Sequence, residues 1–501
     1  MRSIRLTTTF LTLIICAFAA LGFRCFFLQV SRCGYYRGAS LKQQQRRVVN
    51  LPQRGAVLDC KARVIAASNT QQNVFAEPRV IKEPKSVASA LQPVLKIGAH
   101  EICRKITESS NPGYVRIKSG VPADISSAAS RVHYGIGVES RWKRFYPAGS
   151  LFAHVVGFTN AEGEGCGGIE MSYDSSLAGR RGQNVFLADV RPYRRPIRLQ
   201  KVQSRLMDGK GVILTLDSVI QQFTRSELHR QWKEFNAEAA IAVVMEVKTG
   251  AVLAMVSLPD FDPDHLNSED IPRLRNRAVS DIYEPGSILK PIVAAIALDT
   301  DAVEYKDKIY CEKGSYHGRG FGRIGEYGNH SFEDLTIKQI LVKSSNIGMA
   351  KIGQKMGYEK LYRGLRLFGF GKKTGIDLPG EQPGMLRDVS QWNGYSLTRI
   401  PFGQEISVTA VQAARAFCIL ANRGHYIKPY VVKAVVDNSG QIRQTAPEPS
   451  SVGCIVDPEV AELIVTDALS AVVSEGTGKR ASLDKWTVFG KTGTASIAKK
   501  D

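Results

Sequence analysis

Leu6–Phe23 constrains this chain more than any other stretch: eighteen residues without a charge, rich in Leu, Ile, Phe and Ala, with Arg2 and Arg5 in front. In hydrocarbon every backbone polar group must be bonded internally, so such a run can cross a bilayer only as a helix. The run is slightly short, and Cys25–Val30 extends it past Arg24, whose long side chain can snorkel. The leading arginines predict a cytoplasmic N-terminus with the bulk of the chain outside. The rival reading is a cleaved signal peptide with Ala17-Phe-Ala19 as its nominal cleavage site. That site lies inside the apolar run, which is longer than a usual signal h-region. No second segment approaches this hydrophobicity, so the expectation is a single-pass anchor, residues 1–30.

The 501 residues leave room for two or three domains with a substantial core. Apolar and charged fractions of 44% and 23% are those of ordinary globular proteins and exclude wholesale disorder. The net charge of +20 fits a basic face beside an anionic membrane or an anionic lipid-linked substrate, or a solvated basic surface. No finger, helix-turn-helix or aromatic-basic strand supports a nucleic-acid partner. The nine cysteines are scattered, without Cys-x-x-Cys or His at metal-ligand spacing, so nothing argues for zinc and their pairing stays open.

After the anchor, residues 31–206 read as short alternating strands and turns, with a hairpin over Arg54–Asp59 and Arg63–Ser68 and short helices and loops over 80–130. Glu170, after Gly167-Gly-Ile, reads either as a buried ion-pair partner or as a surface carboxylate. Nothing in this region has the shape of an active site; it reads as a pedestal. A second domain, 207–501, opens with Gly211–Asp217 and a helix from Ser218 to about Phe235. Two apolar strands, Ala239–Val247 and Ala251–Ser257, follow, joined across Lys248-Thr-Gly250. Helices are expected over Ile337–Met356 and around Thr409–Asn422, with turns over Gly369–Gly384 and a late strand from Trp486. Strands, helices and then a strand predict an α+β layer with helices covering a sheet.

Chemistry concentrates at Glu284-Pro-Gly-Ser287-Ile-Leu-Lys290-Pro291, which leads into the apolar run Ile292–Leu298. Ser287 and Lys290, three apart, share a helix face. Gly286-Ser287 reads as a helix entrance, where the dipole favours a developing alkoxide, and Pro291 falls where its missing N–H costs little. A hydroxyl is a weak nucleophile until a base takes its proton, and a lysine buried against another cation can be that base. Ser-x-x-Lys recurs at Ser482–Lys485 and Ser496–Lys499, but only the first leads into a long apolar helix. An acyl-transfer site also needs a second polar side chain, a cation and an oxyanion hole. Lys343-Ser344-Ser345-Asn346, 57 positions on (344 − 287), offers a hydroxyl and an amide two residues apart at a helix start. Ser109-Ser110-Asn111 has the same spelling but precedes Pro112 and reads as a turn. Lys491-Thr492-Gly493-Thr494 ends the late strand and offers a cation, hydroxyls and a glycine that lets a ligand lie close. Its Thr494 N–H could pair with that of Ser287 as an oxyanion hole. The Lys-Thr-Gly copies at 248–250 and 373–375 read as a hairpin turn and a loop.

Ser-x-x-Lys, Ser-x-Asn and Lys-Thr-Gly, in that order with large gaps, resemble the signature set of penicillin-binding proteins and serine β-lactamases. With Arg275–Pro291, Lys343–Gly348, Phe368–Glu381, Phe402–Thr409, Arg54-Gly and Gly167-Gly-Ile-Glu170, the resemblance is to class B penicillin-binding proteins of the septal, cell-division type. It implies a transpeptidase domain of antiparallel sheet covered by helices on a dimerisation-type pedestal. In that reading Ser287 attacks the carbonyl between the terminal D-alanines of a peptidoglycan stem peptide. Lys290 is its general base and Ser344 the proton shuttle. Asn346 holds a substrate amide; Lys491, Thr492, Gly493 and Thr494 hold the substrate's carboxylate. β-Lactams would acylate Ser287, no metal or organic cofactor is needed, and a membrane glycosyltransferase of the division apparatus is the implied partner. The location implied is the bacterial cytoplasmic membrane, with the catalytic domain on the periplasmic side.

The family follows the Lys-Thr-Gly strand with two more strands and a closing helix, whereas Asp501 comes seven residues after Thr494 (501 − 494). The expectation is therefore a fragment, an incomplete reading frame or a degenerate chain, with an exposed sheet edge, poor stability and weak activity. Two alternatives to a working transpeptidase stay open: a membrane-anchored division scaffold and a D,D-carboxypeptidase or other hydrolase using the same serine.

Overall fold

The computed structural model describes residues 2–188, 196–447 and 453–495. They form two compact units, the first from the described residues of 1–53, 70–142 and 179–208, the second from those of 54–69, 143–178 and 209–501.

In the first unit, helix Arg2–Phe26 runs into a π-turn at Phe27–Ser31, and Ile4–Ser31 is long and apolar enough to cross a membrane. Helix Cys33–Gln44 follows. A three-stranded antiparallel sheet places Gly182–Ala188 between Gln45–Asn50 and Pro196–Ser204. Gln72–Ala76 pairs antiparallel with Val115–Val121, and helices Pro84–Leu95, Ala99–Thr107 and Ala123–Val132 supply a small core through Leu91, Leu95, Ile102 and Ala129. Ser109 and Asn111 lie in a turn, where Asn111 Oδ1 accepts from Gly113 N at 2.9 Å.

The second unit carries the Arg54–Ser68 hairpin as Val57–Leu58 against the start of strand Val64–Ala76. Val57–Leu58 also pairs, in parallel, with Gly211–Leu214, which in turn pairs antiparallel with Val432–Val436. Glu170 settles on the ion-pair reading: fully buried, it accepts from Arg54 Nε and Arg144 Nε, both at 2.6 Å. Asp217 caps helix Ser218–Glu234 by accepting from Val219 N at 2.8 Å. The antiparallel pair Ala240–Met245 and Val252–Leu258 turns at Gly250, whose φ of +79° explains the glycine in that Lys-Thr-Gly copy. Helix Lys290–Asp299 is buried from Lys290 to Ala297, as a helix apolar all round must be. Around it pack the helices Ile337–Lys343, Asn346–Leu367 and Ala410–Ala421.

Two expectations are corrected. The helix foreseen over Ile337–Met356 is two helices, because Ser344 adopts a left-handed φ of +58° and Ser345 caps a new helix by accepting from Gly348 N. The strand foreseen from Trp486 is absent: residues 482–495 are extended or turned, without ladder pairing among the described residues. They are held instead by Gly490 N to Leu469 O and by side-chain bonds from Lys491 and Thr492. A strand exists only where a neighbour accepts its backbone bonds, which apolar text cannot guarantee. All nine cysteines are unpaired.

Candidate active site

The turn before Ser287 needs a glycine. Gly286 has φ +55°, and a Cβ on it would stand 2.6 Å from Thr494 O. Its N–H donates to Gly403 O at 3.0 Å, and a Cβ on Gly403 would lie 2.0 Å from Gly286 O. Three backbone segments therefore meet at van der Waals contact, which brings Thr494 beside Ser287. A 3₁₀ turn over Gly286–Leu289 then enters the buried helix, with Pro291 in its first turn.

Ser287 lines a cleft of about 310 Å³ together with Ser344, Asn346, Thr492, Gly493 and Thr494. That volume is at the lower end for small-molecule sites. Lys290 is wholly buried. Its Nζ contacts Ser344 O at 2.6 Å, Asn346 Oδ1 at 2.7 Å and Ser344 Oγ at 3.2 Å. The first two are carbonyl oxygens and must each receive an N–H. The third position suits either an N–H or a lone pair, because a hydroxyl both donates and accepts. A neutral amine therefore satisfies every contact that the ammonium does.

Burial, and then the positive charge of Lys491, push Lys290 down to about 7, while Glu326 pulls the other way. Lys491 donates to the same Ser344 Oγ at 3.0 Å and is itself lowered by burial to about 8. Ser344 Oγ thus lies between two amines that titrate near neutrality. Its left-handed conformation costs a non-glycine residue about 1–3 kcal/mol and places the hydroxyl there.

All the candidate residues of the three motifs converge at this cleft, including both residues named for the oxyanion hole. The decoys do not: Lys248-Thr-Gly250 is a turn, and Thr374 binds the buried Glu381. Ser482–Lys485 is exposed, and Ser496–Lys499 lies outside the described residues. Sequence reasoning missed Thr477, whose Oγ accepts from Thr492 Oγ1 at 2.9 Å, and Glu326, whose Oε2 accepts from Asn346 N at 2.6 Å. Each sits in a glycine-rich loop with no periodicity to single it out.

The chain is similar to known proteins over both of its domains. Residues 240–501 match the penicillin binding protein transpeptidase domain, and residues 49–214 the penicillin-binding protein dimerisation domain. Stage V sporulation protein D of Bacillus subtilis is 32% identical over 456 residues, 89% of this chain and 69% of that protein. The probable peptidoglycan D,D-transpeptidase PenA of Neisseria meningitidis is 30% identical, covering 88% of this chain and 74% of its own. Among solved structures, penicillin binding protein 3 of Mycobacterium tuberculosis complexed with ampicillin superposes with a TM-score of 0.69 at 27% identity, over 89% of this chain and 82% of its own. The chain belongs to the class B penicillin-binding proteins, with a dimerisation and a transpeptidase domain.

Proposed function

We propose that the chain is a peptidoglycan D,D-transpeptidase of the septal type, acting through an acyl-enzyme on Ser287 and inhibited by β-lactams at the same atom. The observation that carries this reading is the buried Lys290, near neutrality, bonded to the Ser344 hydroxyl that Lys491 shares, at the cleft Ser287 lines.

Ser287 Oγ attacks the carbonyl carbon between two D-alanines, and its proton passes to Lys290 Nζ. The backbone N–H groups of Ser287 and Thr494 receive the oxyanion. As the C–N bond breaks, the proton moves from Lys290 through Ser344 Oγ to the departing amine of the terminal D-alanine. The amine of a neighbouring stem then attacks the ester carbonyl; its proton returns along the same path to Ser287 Oγ, leaving a crosslink and free enzyme. Asn346 orients a substrate amide. Lys491, Thr492, Gly493 and Thr494 receive the terminal carboxylate of the donor, with the ammonium as its counter-charge.

In this reading residues 1–30 are the anchor, 31–206 the pedestal and 207–501 the transpeptidase domain. The arginines ahead of Leu6 favour a cytoplasmic N-terminus and a catalytic domain on the periplasmic side. A membrane glycosyltransferase and other division proteins would be met through the anchor and pedestal.

Covalent labelling by a fluorescent penicillin, beside a Ser287→Ala control, tests the reading. Labelling lost in the control supports it; no labelling of a folded chain refutes it and favours the scaffold alternative. Crosslinked dimer rather than free tetrapeptide from stem-peptide substrates separates the transferase from a carboxypeptidase.

A further inference from the structure

We propose that Glu326 is a positioning residue for acyl transfer: its buried carboxylate clamps the start of the Asn346–Leu367 helix and so keeps Ser344 and Asn346 on Lys290. This rests on the reading of Ser287 and Lys290 given above.

Glu326 follows the short strand Gly322–Gly325 and is only 9% exposed. Its Oε1 accepts from the Ser345 hydroxyl and from Ile347 N at 3.3 Å, and its Oε2 accepts from Asn346 N at 2.6 Å. A carboxylate at a helix N-terminus meets the free N–H groups and the positive end of the dipole. The residue before it acts on the same asparagine: Gly325 O accepts from Asn346 Nδ2 at 3.1 Å, which turns Oδ1 toward Lys290. Backbone and side chain of Asn346 are thus both held by two consecutive residues.

Ser345 takes no part in the chemistry yet is completely buried. Its Oγ accepts from Gly348 N at 2.9 Å and donates to Glu326, so it ties the carboxylate to the helix cap. Ser344, one residue earlier, holds a strained left-handed conformation that persists only where its surroundings impose it. Helix Ile337–Lys343 fixes it from one side, and the Glu326 clamp from the other.

The group must be a carboxylate. It accepts from three donors, whereas a carboxamide of the same shape has one accepting oxygen and would turn an NH₂ toward an N–H or O–H. Its charge also opposes that of Lys491 at Lys290: burial and Lys491 favour the neutral amine, Glu326 the ammonium.

The test is the acylation rate of the full chain in detergent by a fluorescent penicillin across a pH series, with the folded fraction taken from circular dichroism. An unlabelled but folded wild type overturns the nucleophile reading and this inference with it. With the wild type labelled, Glu326→Gln is expected to slow acylation per folded molecule by about tenfold or more, the scale of lost charge-assisted hydrogen bonds. Its acid limb is expected to move below the wild-type position near pH 7, because the counter-charge that favours the ammonium is gone. Glu326→Asp, which keeps the charge, is expected to hold the limb in place and recover part of the rate. Ser345→Ala is expected to slow acylation with the limb unmoved. An unmoved limb in Glu326→Gln, or a rate per folded molecule within about twofold of wild type, overturns the inference. Should Glu326→Gln not fold, Ser345→Ala decides: a wild-type rate overturns the clamp, and a slowed one with an unmoved limb supports it.

Discussion

Gly286→Ala tests whether the site depends on the close approach of three backbones. The new Cβ would begin 2.6 Å from Thr494 O, and an ordinary contact starts near 3.4 Å, so Thr494 must retreat by about 0.8 Å (3.4 − 2.6) or the Ser287 turn must shift as much. The obstacle is backbone, so no side-chain rotation relieves it. The φ of +55° adds about 1–2 kcal/mol for a residue carrying a Cβ. Displacing a catalytic group by about 1 Å can cost on the order of a hundredfold in rate. The expected outcome is an acylation rate constant lower by about a hundredfold, with thermal stability lower by only about 1–2 kcal/mol. Stopped-flow penicillin acylation and a thermal melt measure the two separately. A rate within about threefold of wild type would refute the argument that the Thr494–Gly286 contact sets the site.

Other expectations follow from the same geometry. Acylation should rise with pH through about 7, because the proposed mechanism uses neutral Lys290 as base and protonation removes it; a flat profile from pH 6 to 8 would refute that assignment. Lys491→Ala removes the like charge that lowers Lys290, so the acid limb should move to higher pH, opposite to Glu326→Gln, as read from the same pH series. Lys290→Arg should abolish labelling while the chain stays folded, since a guanidinium does not give up its proton near pH 7. Glu170→Ala strands two buried guanidinium groups and should cost about 3–5 kcal/mol by denaturant unfolding; a loss under about 1 kcal/mol would show that Arg54 and Arg144 find other partners.

Several elements could be read before any coordinates because their causes are local. The anchor follows from eighteen uncharged residues, the 240–258 hairpin from two apolar runs joined across Gly250, and the buried helix after Ser287 from an apolar run entered through Pro291. Three-residue spacing placed Ser287 in the turn that enters the helix beginning at Lys290, and context separated the Ser-x-x-Lys, Ser-x-Asn and Lys-Thr-Gly that meet at the cleft from their copies.

What could not be read depends on which backbone meets which. Ser344 breaks a helix that periodicity carries straight through, because its conformation is imposed by the cap at Ser345 and by Glu326, eighteen residues earlier in the chain (344 − 326). Lys491 lies 201 positions beyond Lys290 (491 − 290), yet it lowers that lysine through space. The segment from Trp486 reads as a strand but docks on Leu469, Ser344 and Thr477 instead, since hydrogen-bond partners come from the fold and not from the residues that need them. Sequence alone determined the chemical groups of the site and the local turns that carry them, because propensity, spacing and apolar patterning act over a few residues. Tertiary structure alone decided how those groups are charged and aimed, because burial and Coulomb interaction depend on distance in space, whatever the separation along the chain.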